Sequence, residues 1–239
     1  MERIGAIYYT DSLMEASPII KICREQIKKV FKGELVSVSL KPLDFGQNIA
    51  LEGKTRSYPT MVLQIITALE ASTADYVYFL EHDVIYSASH FLFTPSQKNI
   101  FYYNENILRW RFGSNVAITY DRMLPLSCLC VNRLFALEHY RMRQKKIVEM
   151  GWDKDTKGDP IWMRKMGFEP GTKKKKRGGL TDDDFETWRS ESPVIDIRHS
   201  GAFSPPKCTL ESFKHLPTGW KERKIEEIEE WDLKKLFNI

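Results

Sequence analysis

The stretch Asp75-Tyr76-Val77-Tyr78-Phe79-Leu80-Glu81-His82-Asp83 decides how this chain is read. From Tyr76 to Leu80 it is an unbroken aromatic and apolar run, strand-sized and far too short to cross a bilayer. Runs of this kind belong to strands covered on both faces. The run stops abruptly at three polar side chains, Glu81, His82 and Asp83.

Working back from it, Arg3–Tyr9 is a second apolar, aromatic run that ends at Thr10-Asp11-Ser12 and predicts a buried strand followed by a polar loop. Ser17 is placed to cap a helix with Pro18 in its first turn, and Ile20, Cys23, Ile27, Val30 and Phe31 recur on one side until Gly33. Leu35–Leu40 predicts the next strand. The polar segment carrying Gly46 and Gly53 predicts an irregular loop. Ser57 then caps a second helix that turns Met61, Ile65, Ala68 and Leu69 inward and runs to about Ser72. Strand, helix, strand, helix, strand implies an α/β fold, a mainly parallel sheet flanked by helices. Ligands of such sheets lie beyond the carboxyl ends of the strands, where Thr10-Asp11 and Glu81-His82-Asp83 both fall.

The second half reads differently. Asn99–Tyr103, Arg109–Phe112, Asn115–Thr119 and Leu126–Val131 are short strand-like runs, and Arg133–Met150 is a long helical stretch. A basic run, Lys173–Arg177, sits between Glu169-Pro170-Gly171 and Gly178-Gly179 and predicts a mobile loop over 170–180. Val194–Ile197 predicts a last core strand leading into Arg198-His199-Ser200. From Lys221 onward, Ile225, Ile228, Trp231, Leu233 and Leu236 are spaced for a helix docked on the body. The expected organisation is one catalytic domain over 1–239, with a nucleotide-binding half (1–104), a smaller acceptor half (105–204) and a helical tail (205–239).

Composition fits a soluble globular protein: 42% hydrophobic, 28% charged and 12% aromatic residues in 239. No apolar run reaches membrane-spanning length, and the N-terminus lacks a secretory pattern. Cys23, Cys128, Cys130 and Cys208 have no metal-knuckle spacing and read as free thiols of a reducing cytoplasm. The net charge of +4 is a mild bias toward polyanions.

Carboxylates at a strand end suit a hard divalent cation, which relieves the concentrated charge of a nucleotide diphosphate. Glu81 and Asp83, two residues apart, can face one ligand, with one taking the ion and the other the ribose or a water. His199, just past the Val194–Ile197 strand, supplies a second ligand type that suits Mn2+ and tolerates Mg2+-like sites.

Three blocks resemble a family: Ser57-Tyr58-Pro59-Thr60-Met61 with Gln64, YVYFLEHDVIYSASHF from Tyr76 to Phe91, and VIDIRHSGAFS from Val194 to Ser204. They look like bacterial and phage glycosyltransferases of the GT-A fold. The resemblance implies a Rossmann-like nucleotide half and a metal held by Asp83 and His199. It further implies a nucleotide-sugar donor, UDP-sugar first, with the nucleobase against Thr10 and Asp11. Arg56 and Ser57, at a helix start, would then contact ribose or phosphate. Glu81 departs from the family's usual Asp, which puts its ribose role in doubt.

Inverting transfer needs a base, and Asp182-Asp183-Asp184 offers Asp183 and Asp184; the same run also reads as the acidic start of a helix capped by Thr181. The basic run with Trp152, Trp162 and Trp188 would suit DNA bearing a hydroxymethylated base, while an anionic glycan or lipid-linked phosphate explains the charge equally well. Two other classes compete. A nucleotidyltransferase usually needs a glycine-rich loop after the first strand, and Thr10-Asp11-Ser12-Leu13 has no glycine. A nucleic-acid or glycan-binding module leaves Glu81, Asp83 and His199 without purpose.

Overall fold

The computed structural model describes residues 2–151, 169–171, 185–202, 207–228 and 230–239. Strand β1 (Ile4–Thr10) leads to helix α1 (Pro18–Val30), strands β2 (Glu34–Ser39) and β3 (Gln47–Ala50), helix α2 (Tyr58–Ala71) and strand β4 (Tyr76–Glu81). β4, β1, β2 and β3 lie side by side and parallel. Alternation along β1 and β4 explains the unbroken apolar runs: Ile7, Tyr9, Val77 and Phe79 face one core, Ala6, Tyr8, Tyr78 and Leu80 the other. α2 supplies the first core with Val62, Ile65 and Leu69, while α1 packs on the opposite side through Ile27, Ile19 and Cys23.

The caps are as expected. Ser17 Oγ accepts from the Ile19 amide and Ser57 Oγ from the Thr60 amide, each with a proline in the first turn. Lys28 and Lys29 close α1, where the helix dipole favours positive charge.

Strand β5 (Val84–Ile85) follows β4 after a two-residue turn and joins a second sheet. Next come β6 (Phe101–Asn104), β7 (Ile107–Arg111), β8 (Val116–Thr119), β9 (Leu129–Asn132), helix α3 (Arg133–Glu149), β10 (Phe185–Trp188) and β11 (Val194–Arg198). β9 runs antiparallel between β4 and β6, and β10 closes that sheet, giving the order β10-β6-β9-β4-β1-β2-β3. With β12 (Lys221–Lys224), the second sheet has the order β12-β8-β7-β11-β5. The architecture is mixed α/β, its larger sheet mostly parallel and flanked by helices.

Three expectations need correction. The Gly46 segment is not wholly irregular: Gly46 turns at φ 64° and β3 then pairs with β2, its Asn48 amide donating to Ser37 and Ser39. The tail over 205–239 is not one helix. β12 pairs antiparallel with β8, a tight turn covers Ile225–Glu227, and among the described residues of the tail only Leu233–Phe237 (α4) is α-helical. The edge of β8 needs backbone partners, and β12 supplies them. Ile225, Ile228 and Leu233 still dock as expected, against Trp110, Ile195 and Ile197. Finally, the halves 1–104 and 105–204 interleave, because β5 belongs to the second sheet and β10 to the first. A smaller departure is Leu126–Cys128, a 3-10 turn ahead of β9, which leaves Cys128 and Cys130 in one core. Among the described residues no helix is long and apolar enough to cross a membrane.

Candidate metal and nucleotide site

β4 delivers Glu81 and then breaks into the turn His82-Asp83, while β11 delivers Arg198 and then His199. The two strand ends are tied by β5, which pairs with β11, and by the Ile197 amide donating to the Asp83 carbonyl at 2.9 Å. The Asp83 carboxylate and the His199 ring, distant in sequence, therefore meet: His199 Nε2 lies 3.3 Å from Asp83 Oδ2. His82 joins them, its ring 6.3 Å from that of His199, and ligand atoms of His82, Asp83 and His199 all lie within 4.8 Å of one another.

Asp83 is 8% exposed. Burial alone would raise its pKa; the nearby positive potential of His82, His199 and Arg198 outweighs this and holds the carboxyl below its usual range. Glu81 behaves oppositely. Burial, and next the charge of Asp83, push it up to about 8, and its Oε1 accepts the Tyr9 hydroxyl at 2.8 Å. Two close carboxyls thus divide roles, with Asp83 carrying the charge and Glu81 holding a proton near neutrality.

A divalent cation fits this donor set on two counts. The His199 Nε2 atom is buried without a hydrogen bond and aimed at Asp83, and two imidazoles with one carboxylate form a mixed N,O set typical of transition metals. The Gly201 amide donates to His199 Nδ1 at 3.1 Å, so the network assigns the neutral ring's proton to Nε2. A cation at Nε2 would take that proton's place; the proton would then sit on Nδ1, facing the Gly201 N–H, so the Gly201 contact would have to open.

The remaining expected contacts lie along the carboxyl ends of β1 and β2. Thr10 is buried; its Oγ1 accepts from the Ser12 amide, and its carbonyl accepts from Gln64 Nε2 at 2.7 Å. Gln64 also donates to the Val38 carbonyl at 3.1 Å, so α2 pins the carboxyl ends of both strands. Asp11 pairs with Arg56 at 2.8 Å, and Arg56 also donates to the Gly201 carbonyl at 3.0 Å. Arg56 therefore links the first loop to the turn that carries His199. The Ser57 hydroxyl is engaged within its own helix cap, donating to Thr60 Oγ1 and accepting from the Thr60 amide.

Asp183 and Asp184, the basic run Lys173–Arg177, and Trp152 and Trp162 lie outside the described residues. Trp188 is described, and it corrects the expectation of an aromatic face open to a base. Its ring stacks on Phe93 at 4.3 Å and 8° and packs beside His90. Sequence reading passed over His82. Strict strand alternation would aim it away from Glu81 and Asp83, but the strand has ended there, so the alternation no longer applies.

No protein-family model matches this chain, and no curated protein matches it. Solved structures do resemble it. One is the apo-form glycosyltransferase GlyE of Streptococcus pneumoniae TIGR4, at 10% identity and TM-score 0.40, covering 68% of this chain and 42% of that one. A glycosyltransferase involved in glycosylation of the major capsid of PBCV-1 gives 10% identity and TM-score 0.47, covering 81% and 93%. The bifunctional IspDF of Campylobacter jejuni gives 9% identity and TM-score 0.36, covering 90% and 55%. The chain thus spans less than half the length of the first of these.

Proposed function

We propose that this chain is a metal-dependent glycosyltransferase of the GT-A type, moving a sugar from a nucleotide-sugar, UDP-sugar first, to an acceptor hydroxyl. The observation that carries the reading is the convergence of His82, Asp83 and His199 at the carboxyl ends of β4 and β11. Those three residues would hold the ion, which when bound supplies Lewis-acid neutralisation of the departing diphosphate. Two nitrogen donors favour Mn2+ over Mg2+, which prefers an all-oxygen shell.

The chain's own groups do the rest. Arg198, the neighbour of His199, adds a fixed positive charge: burial works against it, but Asp196 and next Asp83 keep the guanidinium firmly protonated. Thr10 and Asp11, with Arg56 and Ser57 at the start of α2, frame the nucleoside end. Glu81 acts mainly by holding Tyr9 and the floor of the site, with a ribose contact as its second role. Inverting transfer, with Asp183 or Asp184 as base, and a hydroxymethylated DNA base as acceptor belong to the same proposal. They rest on sequence alone.

Calorimetric titration of UDP with and without Mn2+ tests the core of this reading. Binding that requires Mn2+, followed by UDP release from a UDP-sugar, is the expected result. Equal UDP binding in excess chelator would overturn it.

A further inference from the structure

The outer faces of α1, α2 and α3 differ. α1 turns mainly charge to solvent, with Lys21, Glu25, Lys28 and Lys29 exposed, and α2 exposes only Glu70. α3 is apolar on both sides. Its inner side packs Ala136, Leu137, Tyr140 and Ile147 into the first core. On the side turned away from the sheet, Leu134 is 61% exposed, Val148 56% and Met142 37%. A single exposed leucine is ordinary. Here the exposed positions Leu134, Glu138, Arg141, Lys145 and Val148 recur at alternating steps of four and three, the spacing of a coiled-coil seam. The same face of α3 lines a shallow groove.

The order of side chains along this seam is its own complement. From Leu134 to Val148 it reads apolar, acidic, basic, basic, apolar. Laid antiparallel on a second copy about an axis through Arg141, it sets Leu134 of each copy opposite Val148 of the other. Glu138 likewise falls opposite Lys145, and two-fold symmetry makes each contact twice. Within one chain Lys145 reaches Glu149 at 3.8 Å, a solvent-exposed contact of little worth that it can give up. Arg141 meets its own copy on the axis, but Glu70 of α2 already answers each guanidinium at 2.8 Å. A parallel arrangement fails, because it sets Glu138 against Glu138 and Lys145 against Lys145. With Glu70 counted, acids on this face match bases, which leaves no excess positive charge for an anionic lipid surface or a nucleic-acid strand.

We infer that the outer face of α3 is a self-association surface, joining two copies of this chain antiparallel over residues 134–148. Leu134, Met142 and Val148 supply the apolar area removed from water, and the Glu138–Lys145 contacts fix direction and register. The seam is about four turns long, which is small for an interface. The pair is therefore reversible rather than permanent.

Sedimentation velocity of the full chain over a concentration series tests it, and the mass should rise from monomer to dimer. Glu138→Lys and Lys145→Glu should each weaken the dimer at least about tenfold, because like charges then face each other twice. Mixed in equal amounts, the two variants should pair nearly as well as the unmodified chain, since every such contact is again Glu against Lys. A chain that stays monomeric throughout would overturn the inference. So would a dimer that neither substitution weakens, or a mixture that fails to recover. Binding to phosphatidylserine vesicles that Leu134→Asp abolishes, with no dimer at any concentration, would overturn it in favour of a lipid surface.

Discussion

Asp83 and Asp196 are both buried aspartates on neighbouring chain segments, yet their surroundings differ. Asp196 receives three guanidinium N–H groups on one oxygen. Asp83 faces two imidazoles, one of which offers a nitrogen without a hydrogen bond. The first carboxylate is saturated by permanent charge and serves as an anchor. The second has partners that are good metal ligands and poor permanent counter-charges, so it has capacity left for a cation. Burial alone does not separate the two roles; the kind of partner does.

The sharpest way to break this contrast is Asp83→Asn. Calorimetry should show Mn2+-dependent UDP affinity down by more than about a hundredfold, with a thermal midpoint close to that of the unmodified chain. Asp196→Asn should do the reverse. Two half-buried guanidiniums lose their counter-charge, so urea titration should show a loss of about 3 kcal/mol, while Mn2+ affinity of the folded fraction stays within about threefold. If both variants lose metal affinity equally, the contrast fails. His82→Gln sharpens it, because removing one of three donors should cost about tenfold in Mn2+ affinity.

A last test extends the contrast to a buried group with no charged partner. His90 is 0% exposed, its Nδ1 accepts from Asn104 Nδ2 at 3.0 Å, and Tyr78, Tyr86, Phe91 and Trp188 surround the ring. Burial lowers its pKa to about 3. Below the ordinary value near 6.5 the unfolded chain takes up a proton that the folded chain refuses. Its contribution to stability is therefore complete above pH 6.5 or so and is lost as pH falls toward 3. Chemical denaturation from pH 7 to pH 4 should show that decline, and His90→Gln should flatten it.

How legible all this was in the sequence depended on burial and on chain locality. β1, β2 and β4 announce themselves because both faces are covered, and α1 and α2 because Ser17 and Ser57 cap them ahead of a proline. Asp83 and His199 stood out because each follows such a strand. The edge strands β3, β5 and β12 did not: β3 and β12 are short and partly exposed, and β5, though buried, has two residues, too few to show a period. Lys221–Lys224 in particular is all charge, and only the open edge of β8 makes it a strand. The Arg109–Asp196–Arg198 triad was illegible for another reason: its parts lie on strands that become neighbours only in the finished sheet. His82 was hidden by a turn that local composition does not reveal.

The pairing of β5 with β11 has a consequence for biogenesis. The two halves of the ligand set leave the ribosome far apart in time, and closing so long a loop is among the slower events in folding. An incomplete or misfolded chain would bring only His82 and Asp83 to the ion, and capture of Mn2+ would then report that the last core strand has been inserted.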